Sequence, residues 1–198
     1  MLRILGGEFR SRVIAGPIGD QTTRPMASRV KESIFNILRG WFDDANVLDL
    51  FAGVGTMGLE AVSRGARRVL MVEQSRQSFR VLEQNIAALQ CADRAEAVQG
   101  DAFSPLVLAR APRPVHVVFV DPPYRMIEDD RDRERLLARL SSLRPIMADK
   151  GFLVLRAPGM KREVPLAIEG FNGPETHAYG SDMRVHFYMP HTHAELSE

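Results

Sequence analysis

Short apolar runs alternate with longer stretches of helical periodicity along most of the chain. The runs are rich in valine and leucine, as expected for strands that are buried on both faces. The predicted strands are Val47–Leu50, Arg68–Val72, Ala95–Gln99, Val115–Val120, Phe152–Leu155 and Met183–Met189. Between them, apolar residues three and four positions apart predict helices, one of them over Ser75–Leu89. This alternation is typical of an α/β fold, so the sequence predicts a doubly wound, mostly parallel sheet.

The N-terminal residues follow a different pattern, in which two β-like segments flank a pair of glycines. Leu2–Leu5 and Phe9–Ile14 predict a β-hairpin, with the glycines supplying the positive φ of its turn. The strand period of two then places Arg10 and Arg12 on one face of the hairpin.

A helix is predicted after the hairpin, from Pro25 or Ser28 to Arg39. Its apolar stripe contains Val30, Ile34, Ile37, Leu38 and Trp41. Farther along, the densely charged stretch from Glu128 to Arg135 indicates an exposed loop that leads into another helix. Beyond Pro158 the pattern weakens.

Charge is unevenly distributed along a chain whose net charge is only +1. Residues 1–40 carry seven basic and three acidic side chains, which favours contact with a polyanion. The alternative is a solvated basic face, and charge alone does not separate the two. We divide the chain into a basic extension that is expected to contact the polyanion (residues 1–42), a main domain (residues 43–190) and a frayed tail (residues 191–198).

Composition narrows the protein class further. The single cysteine, Cys91, excludes an internal disulfide framework and a metal site built on a cysteine cluster. No apolar run approaches the roughly 20 residues that span a membrane, and the N-terminus lacks a signal-like apolar core. These features predict a cytoplasmic location without membrane contact.

Candidate chemistry begins where the apolar run Val117–Val120 meets Asp121-Pro122-Pro123-Tyr124. Proline cannot donate to a ladder and fixes φ, so the chain must leave the sheet at Asp121 in one set conformation. Ligands of open α/β sheets bind outside the carboxyl ends of the strands. A carboxylate, free carbonyls and an aromatic ring at this edge favour binding of a flat ring that donates hydrogen bonds. The alternative is a proline-rich loop in which Tyr124 only covers the edge.

A glycine turn after Val47–Leu50 supplies the second candidate site. Gly53, Gly55 and Gly58 match the dinucleotide pattern G-x-G-x-x-G, and Glu73 follows where such folds place a ribose-binding acid. Asp49 argues against a dinucleotide, because a carboxylate at the strand end would repel a pyrophosphate. The cationic amine and sulfonium of S-adenosyl-L-methionine would instead be favoured there.

The segment from Asp49 to Gly55 resembles the first motif of class I S-adenosyl-L-methionine-dependent methyltransferases. The resemblance implies a seven-stranded, Rossmann-like sheet, with S-adenosyl-L-homocysteine as product. It also implies that Glu73 binds the ribose hydroxyls and Asp101 the adenine amino group; their alternative is a role as plain surface acids. The cofactor-binding residues expected on this basis are Asp49, Phe51, Ala52, Gly53, Gly55, Glu73, Gln74, Asp101, Ala102 and Asp121.

Nearly the whole chain resembles the RsmD-type small-subunit ribosomal RNA guanine-N2 methyltransferases. The resemblance is carried by Arg3-Ile4-Leu5-Gly6-Gly7, Arg24-Pro25, Arg29-Val30-Lys31-Glu32, Phe35-Asn36, the cofactor turn and Phe119–Tyr124. It implies methylation of one guanine in 16S-type rRNA, in the bacterial cytoplasm. The expected partner is small-subunit ribosomal RNA or an assembling small subunit. We expect a monomer and no metal, because the sulfonium is already a strong methyl donor.

At the reacting centre, we expect Asp121 to accept a hydrogen bond from guanine N2, with help from the Pro122 carbonyl, while Tyr124 stacks on the base. An ionised carboxylate only accepts, which suits the adjacent N1–H and N2–H donors of guanine. RNA-binding residues expected beyond the pocket are Arg3, Arg10, Arg12, Arg24, Arg29 and Tyr124. The first alternative is a DNA adenine-N6 methyltransferase, which usually carries an added target-recognition segment. The second alternative is a non-catalytic nucleic-acid-binding module, and the last is a dinucleotide oxidoreductase.

Overall fold

A computed structural model describes residues 2–17, 28–159 and 164–192. The strands are β1 (Leu2–Arg3), β2 (Val13–Ile14), β3 (Asn46–Asp49), β4 (Arg68–Glu73), β5 (Ala95–Gln99), β6 (Val115–Val120), β7 (Met147–Pro158), β8 (Phe171–Tyr179) and β9 (Met183–Pro190). The helices are α1 (Ser28–Ile37), α2 (Gly58–Ser63), α3 (Arg76–Leu89), α4 (Pro105–Arg110), α5 (Tyr124–Glu128) and α6 (Asp130–Ser141). A 3₁₀ turn, Arg144–Ile146, precedes β7.

Seven strands form one sheet in the order β5-β4-β3-β6-β7-β9-β8. The first five are parallel to one another, and β9 runs antiparallel to both β7 and β8. The order reverses between β3 and β6, so the carboxyl ends of these strands flank the crevice where open α/β sheets bind ligands. The predicted α/β, doubly wound, mostly parallel sheet is confirmed.

Two apolar layers cover the sheet. On one face, Phe35 of α1 packs against Phe119 of β6, with ring centroids 5.6 Å apart. On the other, Leu136 and Leu140 of α6 pack with Val118 of the same strand. Alternate residues of one strand thus point to opposite layers, which explains why the core strands are apolar almost throughout.

Glu60, which is fully buried on α2, fastens the N-terminal extension to the main domain. Its carboxylate accepts from the backbone N–H groups of Leu5 and Gly6 at 2.8 and 2.9 Å. It also pairs with Lys31 Nζ at 3.0 Å and with Arg64 Nε at 2.9 Å. The hairpin and α1 are therefore bound to α2 through one carboxylate.

The hairpin is much shorter than the sequence predicts. Only Leu2–Arg3 and Val13–Ile14 pair as strands, whereas residues 8–11 form turns. Positive φ at Gly7 (76°) and Ser11 (68°) bends the chain inward, and a Cβ on Gly7 would lie 1.8 Å from the Ser63 carbonyl oxygen. The expectation that Arg10 and Arg12 share a strand face is wrong, because neither residue belongs to a strand.

Three further local predictions are wrong. Ile37, predicted on the apolar stripe of α1, is 41% exposed, and Phe35 is buried instead. Residues 130–135, predicted as a loop, form the first turns of α6, whose start is capped by Asp129 accepting from Asp132 N–H at 2.9 Å. Strand β7 begins at Met147 and ends at Pro158, well beyond the predicted Phe152–Leu155.

Some predictions fall outside the described residues. Arg24 and most of the predicted tail (residues 193–198) belong to this group. Within residues 2–17, 28–159 and 164–192, no helix has the length and apolarity needed to cross a membrane.

Candidate active site

Four acidic residues stand at or just beyond the carboxyl ends of neighbouring strands. Asp49 ends β3 and Glu73 ends β4, while Asp101 follows β5 and Asp121 follows β6. Because these strands are parallel neighbours, their carboxyl ends meet at one edge of the sheet. The geometry thus brings together the four acids that the sequence singled out.

Asp49 lies at the centre of this edge and is only 2% exposed. Its Oδ2 accepts from the Gly58 backbone N–H at 3.1 Å, at the start of α2, and the Phe51 N–H also donates to it. Burial raises the pKa of Asp49 to about 7, and the nearby charges of Asp121 and Glu73 act in the same direction. Asp49 is therefore a carboxyl group whose ionised form lacks a compensating cation among these neighbours.

Glu73 holds the glycine turn. Its Oε2 accepts from the Gly53 N–H at 2.8 Å, and its Oε1 accepts from the Ser75 N–H at 2.6 Å. Gly53 has φ +55°, and a Cβ on it would meet no atom within 4 Å. Gly55 differs: it is buried, and a Cβ there would lie 2.6 Å from the Leu82 side chain. Gly53 thus faces open space, whereas Gly55 is required for packing.

The loop after β5 is held from α6. Asp101 Oδ1 accepts from the Phe103 N–H at 2.9 Å. Arg139 Nε donates to the Ala102 carbonyl at 2.9 Å, and Arg135 lies 4.3 Å above the Phe103 ring. Burial lowers the pKa of Arg139, and the Asp101 carboxylate opposes that shift. Helix α6 therefore organises one wall of the site through Arg139 and through Arg135, the last residue of the stretch that the sequence assigned to an exposed loop.

Asp121 forms an ion pair with Arg156, whose Nε donates to the Asp121 Oδ1. The Arg156 guanidinium carbon also lies 5.3 Å from the centroid of the Tyr124 ring. Burial raises the pKa of the Asp121 carboxyl, and the Arg156 charge opposes that shift. Sequence analysis missed Arg156 because the strand was predicted to end at Leu155; a charged residue directly after a core strand was the available signal.

A cavity of about 490 Å³ opens at this edge. Nine of the predicted cofactor residues line it: Asp49, Phe51, Ala52, Gly53, Glu73, Gln74, Asp101, Ala102 and Asp121. Gly55 does not line it, and neither do Pro122 and Tyr124, whose neighbours Pro123 and Arg125 do. Lining residues that the sequence did not single out include Leu2, Pro17, Thr56, Met57, Phe103 and Arg156. Since Leu2 and Pro17 belong to the extension, that segment forms part of the cavity wall.

The predicted RNA-binding arginines lie outside this cavity and differ in their environment. Arg10 and Arg29 are exposed. Arg3 Nη1 donates to the Ser11 carbonyl at 2.9 Å, and Arg12 Nη2 donates to the Ala88 carbonyl at 2.9 Å. Arg3 and Arg12 thus take part in contacts within the chain. Across the described parts of the chain, no group of three or more His, Cys, Asp or Glu could hold a metal ion.

Comparison with known proteins shows similarity to methyltransferases. The family model described as Conserved hypothetical protein 95 matches residues 2–189. Ribosomal RNA small subunit methyltransferase D of Escherichia coli (strain K12) is 42% identical over 125 residues, which are 63% of this chain and 61% of that protein. The Bacillus subtilis (strain 168) protein YlbH is 30% identical over 154 residues, 77% of this chain and 80% of that protein. The chain thus spans about three fifths of the length of the Escherichia coli relative.

The solved structure of yhhF from Escherichia coli is 30% identical to this chain and superimposes with a TM-score of 0.78. The superposition covers 96% of this chain and 98% of that one. With the strand order found here, it confirms the class I methyltransferase fold. Because the family model matches residues 2–189, the chain belongs to the family described as Conserved hypothetical protein 95, that of the RsmD-type methyltransferases.

Proposed function

We propose that this protein transfers a methyl group from S-adenosyl-L-methionine to the exocyclic N2 of one guanine in small-subunit ribosomal RNA. The observation that carries the proposal is the position of Asp121. Its carboxylate lines the acid-walled cavity and begins the turn that leads to Tyr124. The name of the Escherichia coli relative, a ribosomal RNA small subunit methyltransferase, supports the substrate class.

The cavity has the size and charge that suit this methyl donor. Its volume of about 490 Å³ lies within the usual range for small-molecule sites. Asp49 would attract the cationic amine, and Asp101 would accept from the adenine amino group. Both oxygens of Glu73 already accept a backbone N–H, but a carboxylate oxygen has a second lone pair that a ribose hydroxyl can use. A pyrophosphate would instead meet several carboxylates.

When bound, S-adenosyl-L-methionine supplies a methyl group that is already activated on a sulfonium centre. The protein has to improve a poor nucleophile, because the N2 lone pair of guanine is delocalised into the ring. Asp121 accepts an N2 hydrogen, and this favours the positive charge that develops on nitrogen as the N–C bond forms and the C–S bond breaks. The N2 proton then leaves, with the Asp121 carboxylate as its nearest acceptor. The Pro122 carbonyl assists, and Tyr124 stacks on the base.

The target guanine has to be unpaired or swung out of its helix, since base pairing blocks N2. The exposed Arg10 and Arg29 are suited to hold the surrounding phosphates. We place the protein in the bacterial cytoplasm, acting as a monomer on ribosomal RNA or on an assembling small subunit.

Transfer of a labelled methyl group to three substrates tests the proposal. The substrates are deproteinised small-subunit ribosomal RNA, partly assembled small subunits and duplex DNA, each digested to nucleosides after the reaction. We expect label in N2-methylguanosine from one or both ribosomal substrates. Label in N6-methyldeoxyadenosine would instead assign the protein to DNA adenine methylation, and label in neither nucleoside would refute the proposed reaction.

Asp121→Asn tests the catalytic role within the same assay. The amide oxygen can still accept from Arg156 Nε, so the local fold is retained, but the negative charge is lost. We expect kcat to fall at least about a hundredfold while the dissociation constant of the cofactor changes less than about threefold. Turnover equal to that of the wild type would remove Asp121 from the mechanism.

A further inference from the structure

Arg156 has no part in the mechanism above, yet the sheet places it beside the reacting centre. Val120 of β6 pairs with Leu155 of β7, and the two strands are parallel. The next residues, Asp121 and Arg156, therefore emerge side by side on the same face of the sheet. This register explains how a residue late in the chain comes to contact the Asp-Pro-Pro-Tyr turn.

One arginine contacts both residues of that turn to which the mechanism gives a side-chain role. Its Nε donates to Asp121 Oδ1, and its guanidinium lies against the Tyr124 ring at 5.3 Å. Arg156 itself is 6% exposed and lines the cavity. A planar guanidinium can hold a carboxylate with an in-plane N–H while its face meets an aromatic ring.

Because of the ion pair, the two carboxylate oxygens of Asp121 have different surroundings. Oδ1 accepts from Arg156, whereas Oδ2 has no hydrogen-bond partner among the residues that the structure describes. Oδ2 is therefore the oxygen available to a substrate amine. A carboxylate that could rotate freely would present either oxygen, so the ion pair fixes the direction in which Asp121 accepts.

The ion pair also sets the charge of Asp121. Asp49 ends β3, the strand beside β6, and the charges of Asp121 and of Glu73 on β4 help to raise the pKa of Asp49. Arg125 of α5 lines the same cavity, whereas Arg156 of β7 is in ion-pair contact with Asp121. Without Arg156, burial alone would favour a protonated Asp121, and a protonated oxygen donates instead of accepting.

We propose that Arg156 is a positioning residue for methyl transfer: it keeps the Asp121 carboxylate ionised, leaves Oδ2 for the substrate amine and holds the Tyr124 ring for stacking. This inference rests on the proposed function. It adds a third participant, from the neighbouring parallel strand β7, to the turn between β6 and α5.

Arg156→Met, Arg156→Lys and a matched control separate positioning from simple stabilisation. The control is Arg144→Met, because Arg144 is also 6% exposed and also pairs with an aspartate, Asp149, at 2.8 Å. Arg144 precedes β7, so it lies at the end of that strand opposite to Arg156. Cofactor affinity, kcat from pH 5 to 9, and the ¹³C titration of the Asp121 carboxyl carbon are measured for each protein. The Asp121→Asn spectrum assigns that carbon.

We expect Arg156→Met to lower kcat about a hundredfold, with cofactor affinity changed less than about threefold. The acidic limb of its pH profile and the ¹³C titration should both move up by about 1 to 2 pH units. Arg156→Lys should restore most of the titration shift, because the lysine retains the charge, but only part of kcat, because it lacks the planar fork. Arg144→Met should change neither titration nor profile.

An unchanged Asp121 titration in Arg156→Met would overturn the proposal. So would a loss of kcat without any shift of the pH profile, because that result indicates a structural role only. The titration needs no RNA, so it tests Arg156 even if wild-type protein fails to methylate ribosomal RNA, a failure that would count against the proposed function instead.

Discussion

Two buried carboxylates on the same side of the sheet have opposite surroundings. Glu60 on α2 accepts from two backbone N–H groups and pairs with two cations, Lys31 and Arg64. Asp49 on β3 accepts from backbone N–H groups only, and the charges nearest to it are the carboxylates of Asp121 and Glu73. The first carboxylate is compensated within the protein, whereas no cation is among the groups that shift the pKa of the second.

This difference separates structural from functional burial of charge. A compensated carboxylate stabilises the fold, because removing it leaves backbone donors without an acceptor and a buried lysine charge without a counter-charge. An uncompensated carboxylate destabilises the fold when ionised, and burial accordingly raises the pKa of Asp49 to about 7. Removal of the negative charge should therefore lower the free energy of unfolding at Glu60 and raise it at Asp49.

Glu60→Ala should have the largest effect on stability. Lys31, which is 5% exposed, would lose its ion-pair partner and keep the Arg3 carbonyl as an acceptor, and the N–H groups of Leu5 and Gly6 would lose their acceptor. We expect the free energy of unfolding to fall by about 3 to 5 kcal/mol, measured by urea denaturation. Glu83→Ala, at an exposed position of α3, is the control and should stay within about 0.5 kcal/mol of the wild type. Equal effects of the two variants would contradict the anchoring role of Glu60.

Asp49→Asn should stabilise the protein, in contrast to Glu60→Ala, and should weaken cofactor binding. The amide oxygen can still accept from Gly58, but the charge that would meet a cationic amine is gone, so we expect the cofactor dissociation constant to rise about a hundredfold. Because the folded-state pKa of Asp49 is raised, ionisation opposes folding above about pH 4, and most strongly above pH 7. The variant should therefore melt a few degrees higher than the wild type at pH 8, with little difference at pH 4.

The same ionisation makes cofactor binding depend on pH. Below about pH 7 the Asp49 carboxyl of the free protein is protonated and has to lose its proton when the cationic ligand binds. The wild-type dissociation constant should then approach a tenfold rise for each pH unit below 7 and be nearly flat above it. Asp49→Asn should show no such slope, and isothermal titration calorimetry in buffers of different ionisation enthalpy would detect the released proton. A flat wild-type profile would contradict the assignment.

The core of the fold was predictable because buried parallel strands appear in the sequence as continuous apolar runs. Strand β8 could not be found in this way, since its residues are mostly exposed or half-buried and follow no apolar pattern. The hairpin was predicted too long because the Phe9 N–H donates to Ser63 Oγ on α2 instead of to a partner strand, and because Ser11 has a positive φ, which serine seldom adopts. In β8 and in the hairpin, contacts between distant parts of the chain determine the structure more than the local sequence pattern does.

The acids of the site were predictable for a related reason. The carboxyl ends of neighbouring parallel strands lie at one edge of the sheet, and this does not depend on the conformation of the loops. Arg156 was not, because its partner Asp121 lies 35 residues earlier and only the register of β6 and β7 joins them. Glu60 was missed likewise, since a glutamate in the first turn of a short helix looks like an ordinary solvated residue. Partners of buried charges are set by packing, which the sequence pattern does not display.

The smallest expected effect concerns RNA binding by the exposed arginines of the extension. It compares an arginine whose side chain contacts other groups of the chain with one whose side chain shows no such contact among the described residues. Arg10 and Arg12 are both exposed, but Arg12 also donates to the Ala88 carbonyl and lies 6.0 Å from the Phe9 ring. Arg10→Ala should weaken RNA binding severalfold and reduce the slope of log K against log salt by about one. Arg113→Ala is the control, at an exposed position after α4, whose Val107 packs in the apolar layer opposite to that of Phe9; it should leave the slope unchanged. An identical slope for Arg10→Ala and the wild type would show that Arg10 is part of a solvated face and contacts no phosphate.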